Sequence, residues 1–93
     1  MHIDTDDLSE ETYRAIIVEA EKFNHDLTLR FGQLSYHCKD EAEYIANAKK
    51  LIEAMFEYDE HDLDDIFFGN PPSKKRFHAA LTRIKSNIDQ LKK

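Results

Sequence analysis

Apolar residues recur every three or four positions along three stretches of this chain, the spacing of helices that bury one face. The first stretch follows Ser9, a typical helix N-cap, and Leu8 and Tyr13 stand where a hydrophobic staple would place them. We therefore predict a flexible N-terminus over residues 1–8 and a long helix over about residues 10–38. The apolar stripe of this helix consists of Tyr13, Ile16, Ile17, Ala20, Phe23, Leu27, Phe31, Leu34 and Cys38.

The pattern of apolar and capping residues in the rest of the chain predicts two more long helices and one short one. Asp40 and Ser73 are typical N-caps, and Gly69 is the residue type that most often ends a helix. Because the connections are short, neighbouring helices are expected to be antiparallel. We predict a single all-α domain over residues 1–93, an up-down-up bundle of three long helices with a short fourth capping helix. The further helices are predicted at residues 41–58, 62–68 (the short one) and 74–92.

The first predicted helix is long for such a bundle. If continuous, it would span about 43 Å, against roughly 27 Å for each of the other two. It either breaks near residues 24–26 or at Gly32, or its far end overhangs the bundle and dimerises. An overhang would expose apolar side chains for a partner to cover. The interface candidates are Leu27, Leu29, Phe31, Leu34 and Tyr36, together with Phe68 at the end of the short helix.

Composition narrows the class of function. The net charge of −6 argues against general binding to nucleic acid or to an anionic membrane. No apolar run approaches the roughly 20 residues of a membrane span, and the first residues lack the pattern of a signal peptide. Cys38 is the only cysteine, which fits a reducing compartment, so we expect a cytoplasmic protein.

The charge is unevenly divided along the chain. Residues 1–73 carry 18 acidic and 6 basic side chains, a net of −12, whereas residues 74–93 carry 7 basic and 1 acidic, a net of +6. Lys74, Lys75 and Arg76 fall in the first turn of the last helix, where the helix dipole repels cations. Either the acidic run at residues 59–65 folds back beside them, or they bind an external anion together with the exposed backbone N–H groups. They are the anion-binding candidates.

No catalytic or cofactor motif is present, and we predict neither an enzyme nor a cofactor. His37 and Cys38 are adjacent, so on a helix they point about 100° apart and do not face each other. The acidic run at residues 59–65 has the density of a calcium loop but lacks the glycine that an EF-hand needs at its sixth position. His61 and Asp65 could share a helix face, and they are the weak metal candidates.

In size, acidity and helical build the chain is similar to small bacterial immunity proteins and antitoxin-type inhibitors. The resemblance is one of bulk properties and assigns no site residue. The leading hypothesis is an acidic protein-protein interaction or regulatory module that binds a basic partner, with a homodimer as a compatible form. The alternative is binding of anions, phosphate or nucleic acid by the basic last helix, and a metal-binding protein is third. The contacts of the alternative would come from Lys74, Lys75, Arg76, Arg83 and Lys85.

Overall fold

A computed structural model describes residues 3–67 and 70–91, which form helices and contain no strand. The prediction of an all-α helical bundle is confirmed. Two single-turn 3-10 helices, Thr5–Asp7 and Ser35–His37, flank the first two long elements. The main helices are α1 (residues 10–23, in three continuous pieces, Glu10–Tyr13, the π-helical Arg14–Val18 and Glu19–Phe23), α2 (His25–Leu34), α3 (Glu41–Phe56), α4 (Glu60–Ile66) and α5 (Lys74–Gln90).

The first predicted helix is two helices in the structure, separated by Asn24. This residue has an extended backbone, with φ −167° and ψ 138°, which ends α1. Its side-chain oxygen accepts the N–H of Asp26 at 2.7 Å and so begins α2 as an N-cap. The helix runs without interruption through Gly32, the other proposed break point. Because the chain turns at Asn24, α2 folds back against α1 instead of extending beyond the bundle.

This turn corrects part of the predicted interface. Leu27 and Phe31 are fully buried, and the hydroxyl of Tyr44 donates to the carbonyl oxygen of Phe31 at 2.8 Å. The overhang alternative, which made Leu27 and Phe31 interface candidates, is therefore wrong, because the fold-back directs this face of α2 into the core, as the apolar stripe predicted. Leu34 is half-buried against the same core. Phe68 lies outside the described residues.

The core receives side chains from each of the five main helices. Burial of each large apolar side chain stabilises the fold by roughly 1.5–3 kcal/mol before the entropy of ordering it is subtracted. The short α4 covers the end of the bundle where α1 ends and α5 begins. Phe67, which follows α4, packs its ring against those of Phe23 and Phe77, with ring centroids 6.2 and 5.6 Å apart. The largest fully buried side chains are Tyr44, Phe31, Phe67, Phe77, Ile16, Leu27, Ile52, Met55, Leu63, Leu81, Ile84 and Ile88.

The segment before α1 lies against the bundle. The backbone N–H of Ile3 donates to the carbonyl oxygen of Cys38 at 3.0 Å, and Leu8 is buried. Between these two attachments the Thr5–Asp7 turn places Asp4 and Asp6 above the junction of α1 and α2. Residues 3–8 therefore form a wall of the surface described next.

Candidate functional site

Three large apolar side chains are exposed in the part of the chain that the structure describes, and all three line one groove. Tyr13 is 37% exposed, Leu29 47% and Tyr36 57%. They come from α1, α2 and the 3-10 turn after α2, so the fold brings together residues that are distant in sequence. We call this the α1/α2 groove, and its volume is about 550 Å³. Its other lining residues are Asp4, Thr5, Asp6, Ile17, Thr28, Gly32, Gln33 and Ser35.

The groove continues toward the turn at Asn24. An adjoining cavity of about 480 Å³ shares Tyr13, Ile17 and Thr28 with it. This second part is completed by Val18, Glu21, Lys22 and His25. One concave surface thus follows the junction of the two helices, from the N-terminal segment to the turn between them.

A π-helical segment forms part of the α1 wall. In a π-helix each N–H bonds to the carbonyl five residues back, so the segment Arg14–Val18 changes the phase of the helix. Tyr13, which regular α-helical spacing would place with Ile16 and Ile17 on the core, is exposed to the groove instead, whereas Ile17 stays 6% exposed at its base. Segments of this kind occur frequently at functional sites.

The base of the groove is open at Gly32. A Cβ atom built on this residue would meet nothing within 4 Å outside its own helix. Glycine in a helix interior is less stable than alanine by roughly 1 kcal/mol, and no neighbouring atom requires its small size here. Ser35, one turn later, is buried and donates its hydroxyl to the carbonyl oxygen of Gly32 at 2.8 Å. Gly32 therefore leaves space in the groove at a cost to helix stability.

The two ends of the groove differ in charge. At the N-terminal end Asp4 and Asp6 are the charged residues of the lining. At the turn end Glu21 and Lys22 carry opposite charges, and the Nδ1 atom of His25 lies 3.2 Å from a carboxylate oxygen of Glu21. Hydrogen bonds from Thr28 and then from His25 hold the pKa of Glu21 below its ordinary value. The turn end is therefore locally balanced, and the N-terminal end is acidic.

Sequence reasoning located only part of this surface. Leu29 and Tyr36, two of the interface candidates, line the groove. Tyr13 was assigned to the core stripe, and the acidic rim was assigned to a flexible terminus, whereas Ile17 is buried as the stripe predicted. No sequence signal marks the π-helical segment, so the exposure of Tyr13 could not be foreseen from spacing.

The anion-binding candidates lie in the basic C-terminal part of the chain, at the start of α5. Lys74, Lys75 and Arg76 are all exposed in the first turn of α5, where Ser73 accepts the N–H of Arg76 at 3.2 Å. Two acidic residues of α4, Glu60 and Asp64, line a cavity of about 250 Å³ together with Lys74. Within residues 3–67 and 70–91 none of the three cations forms an ion pair within 4.0 Å. The acidic helix is close enough to moderate the repulsion, but the geometry does not mark a ligand site.

The metal candidates are two exposed residues of α4. His61 and Asp65 lie four residues apart on one short helix. Among the described residues no three His, Cys, Asp or Glu side chains come together as a metal-binding group. Asp65 instead borders a cavity of about 230 Å³ that also reaches Leu29.

Among the helices that the structure describes, none is long and apolar enough to cross a membrane. Comparisons with protein-family models, curated proteins and solved structures found no match to this chain.

Proposed function

We propose that this protein is a small protein-binding module and that the α1/α2 groove is its binding surface. The observation that carries the proposal is the convergence of Tyr13, Leu29 and Tyr36, each more than one third exposed, in a single groove. Isolated apolar residues are common on protein surfaces, whereas a contiguous apolar patch with a polar rim is typical of an interaction site.

The residue types of the groove suit a protein interface. Tyrosine is enriched among the residues that dominate binding energy, because it buries a large rigid ring and keeps a hydroxyl for hydrogen bonding. The two tyrosines line the same groove as Gly32, where a Cβ atom would meet nothing within 4 Å. A partner side chain that enters the groove would meet the aromatic and aliphatic atoms of Tyr13, Leu29 and Tyr36, with polar side chains beside them.

The charge of the surface favours a basic partner. Asp4 and Asp6 border the groove, and residues 1–73, from which the whole groove is built, carry a net charge of −12. Such a field accelerates the encounter with a positively charged protein and disfavours acidic competitors. A module of this kind fits a regulatory role in the cytoplasm, where the buried, unpaired Cys38 would remain reduced.

The test is affinity capture from a lysate of the source organism with a matched pair of variants. Leu29→Asp places a charge in the groove, and Ala79→Asp places the same charge on an exposed position of α5 outside it. We expect a stoichiometric protein partner with wild type and with Ala79→Asp, and loss of that partner with Leu29→Asp. Circular dichroism should show that both variants keep the helical fold.

A partner that survives Leu29→Asp, or the absence of any stoichiometric partner, would contradict the proposal. Sedimentation of the purified protein over a range of concentrations identifies the case in which the partner is a second copy of this chain. In that case Leu29→Asp should abolish dimerisation and Ala79→Asp should leave it intact.

A further inference from the structure

We infer that the α1/α2 groove receives a single amphipathic helix of the partner, oriented with its basic N-terminal end against Asp4 and Asp6. The inference rests on the proposed function and specifies the form, the length and the direction of the bound segment. Its three supports are the chemistry of the groove walls, the length of the groove and the difference in charge between its two ends.

The walls favour a helical occupant over an extended one. The two long walls are α1 and α2, whose interior backbone N–H and C=O groups are bonded within each helix, and the third wall is the short segment around the 3-10 turn Thr5–Asp7. The described residues contain no strand edge to which an extended peptide could add main-chain hydrogen bonds. A helix satisfies its own backbone groups and presents only side chains to the groove, so it loses no hydrogen bond on docking.

The length of the groove matches a short helix. Along α1 the lining runs from Tyr13 to Lys22, which is about 14 Å at about 1.5 Å per residue. Apolar anchors at positions i, i+3 or i+4, and i+7 of a helix extend over about 10 Å along its axis. Three such anchors would lie beside Tyr36, over Gly32 and above Ile17.

A second copy of this chain is a poor occupant. The exposed large apolar side chains of the described residues all lie in the groove itself, so none of the other faces that the structure describes offers an apolar ridge to fill it. Pairing of groove with groove would oppose two concave surfaces, which cannot fill each other. The occupant is therefore expected to be a different protein.

The difference in charge between the ends sets the direction. A helix carries a partial positive charge at its N-terminus, and the acidic end of the groove would attract that terminus together with any Lys or Arg in its first turn. At the turn end the lining carries both Glu21 and Lys22, whose charges cancel, and the ring of His25 lies 3.2 Å from the Glu21 carboxylate. The C-terminus of a bound helix, with its partial negative charge, fits that end better.

The test is a selection from a displayed library of random peptides, each about four helical turns long, against the wild-type protein. Peptides that also bind Gly32→Trp, which fills the groove from a position with open space, or Leu29→Asp are removed. We expect the retained peptides to carry apolar residues at i, i+3 or i+4, and i+7, with Lys or Arg in the first turn. Synthetic versions should become helical on binding.

The direction is tested with two variants that change the net charge equally. Asp4→Asn with Asp6→Asn should weaken binding of a selected peptide about tenfold at low salt, and the loss should shrink at about 0.5 M salt. Glu53→Gln with Glu57→Gln, two exposed acids outside the groove, should change binding less than about twofold. A peptide that has its basic residues moved to the C-terminal end should bind more weakly than the parent.

The outcomes separate the two proposals. Groove-dependent peptides that bind in extended form, prefer basic residues at the C-terminal end or ignore the Asp4 and Asp6 variant would overturn the inference and leave the binding module intact. If no selected peptide depends on the groove, both the inference and the proposed function are wrong.

Discussion

Helices α1 and α5 are each capped by a serine, but the side chains of their first turns carry opposite charges. In each, a serine hydroxyl accepts the N–H of the third helical residue: Ser9 from Thr12 at 3.3 Å, and Ser73 from Arg76 at 3.2 Å. The α1 start is followed by acidic residues, which the helix dipole favours, whereas the α5 start is followed by Lys74, Lys75 and Arg76.

The α1 start is also tied to another helix. The carboxylate of Glu41, the first residue of α3, accepts the backbone N–H of Ser9 with one oxygen. Its other oxygen accepts the hydroxyls of Ser9 and Thr12 at 3.1 and 3.0 Å. One negative charge therefore stands at the N-terminal ends of two helices, and Thr12 is 2% exposed beneath it. Helices α1 and α5 thus both begin at a local serine cap, and at α1 a residue distant in the sequence also hydrogen-bonds to that end.

Removing the Glu41 carboxylate should produce the largest loss of stability. Glu41→Ala deletes the acceptor of three hydrogen bonds and leaves the buried hydroxyl of Thr12 with fewer partners. We expect the free energy of unfolding to fall by about 2–3 kcal/mol, measured by urea denaturation. Glu53→Ala, an exposed change on the same helix, should cost less than about 0.5 kcal/mol. Equal losses in the two variants would mean that the Glu41 carboxylate holds nothing that water cannot replace.

The two caps should differ when each is removed alone. Ser73→Ala removes one hydrogen bond and should cost about 1 kcal/mol, the usual value of a serine cap. Ser9→Ala also removes the hydroxyl that donates to Glu41, so we expect a loss of about 1.5–2 kcal/mol. In a Glu41→Ala background the excess should disappear, which a double-mutant cycle measures directly. A Ser9→Ala cost that is unchanged in that background would contradict the coupling.

Much of the helix layout could be predicted because it depends on neighbouring residues. Ser9, Asp40 and Ser73 were identified as N-caps from the sequence, and each accepts a backbone N–H in the structure. The break near residues 24–26 was one of several alternatives, since the length of the apolar stripe showed a conflict but not how the chain resolves it. Asn24 resolves it by capping α2 while its own backbone is extended.

The contacts at the α1 start and the α1/α2 groove were harder to predict, because both bring together residues that are distant in the sequence. Glu41 lies 32 positions from Ser9, and nothing in the local pattern of either residue points to the other. Tyr13, Leu29 and Tyr36 meet only after α2 folds back on α1. The same fold-back buried Leu27 and Phe31, so the five-residue candidate patch of α2 and its 3-10 turn was divided between core and groove.

Reversing one charge in the first turn of α1 or of α5 should change the stability by a smaller amount. Lys75→Glu places an anion at the start of α5 and should stabilise the protein by about 0.3–1 kcal/mol at low salt. Glu11→Lys at the start of α1 should destabilise it by a similar amount. Both effects should decline at about 0.5 M salt, because exposed charges are screened. Lys85→Glu, exposed in the middle of α5, is the control for net charge. If it stabilises as much as Lys75→Glu does, net charge explains the gain and the helix end does not.

The start of α4 extends the comparison to pH, with the smallest expected effect because the cap is exposed. Asp59 begins this helix by accepting the N–H of Asp62 at 2.9 Å, and that hydrogen bond, which favours the charged carboxylate, lowers the pKa of Asp59 below its ordinary value. The folded pKa is the lower one, so the carboxylate stabilises the protein above the unfolded pKa, and this contribution is lost as the pH falls through the folded pKa.

Asp59→Asn keeps a capping oxygen that cannot titrate. We therefore expect wild type to exceed this variant in stability at about pH 7 and to lose that advantage at about pH 2, measured by urea denaturation at a series of pH values. The cost of Ser73→Ala should stay constant over the same series, since its hydroxyl does not titrate there. If the difference between Asp59 and Asn is also constant, the cap acts through its hydrogen bond alone and its charge adds nothing.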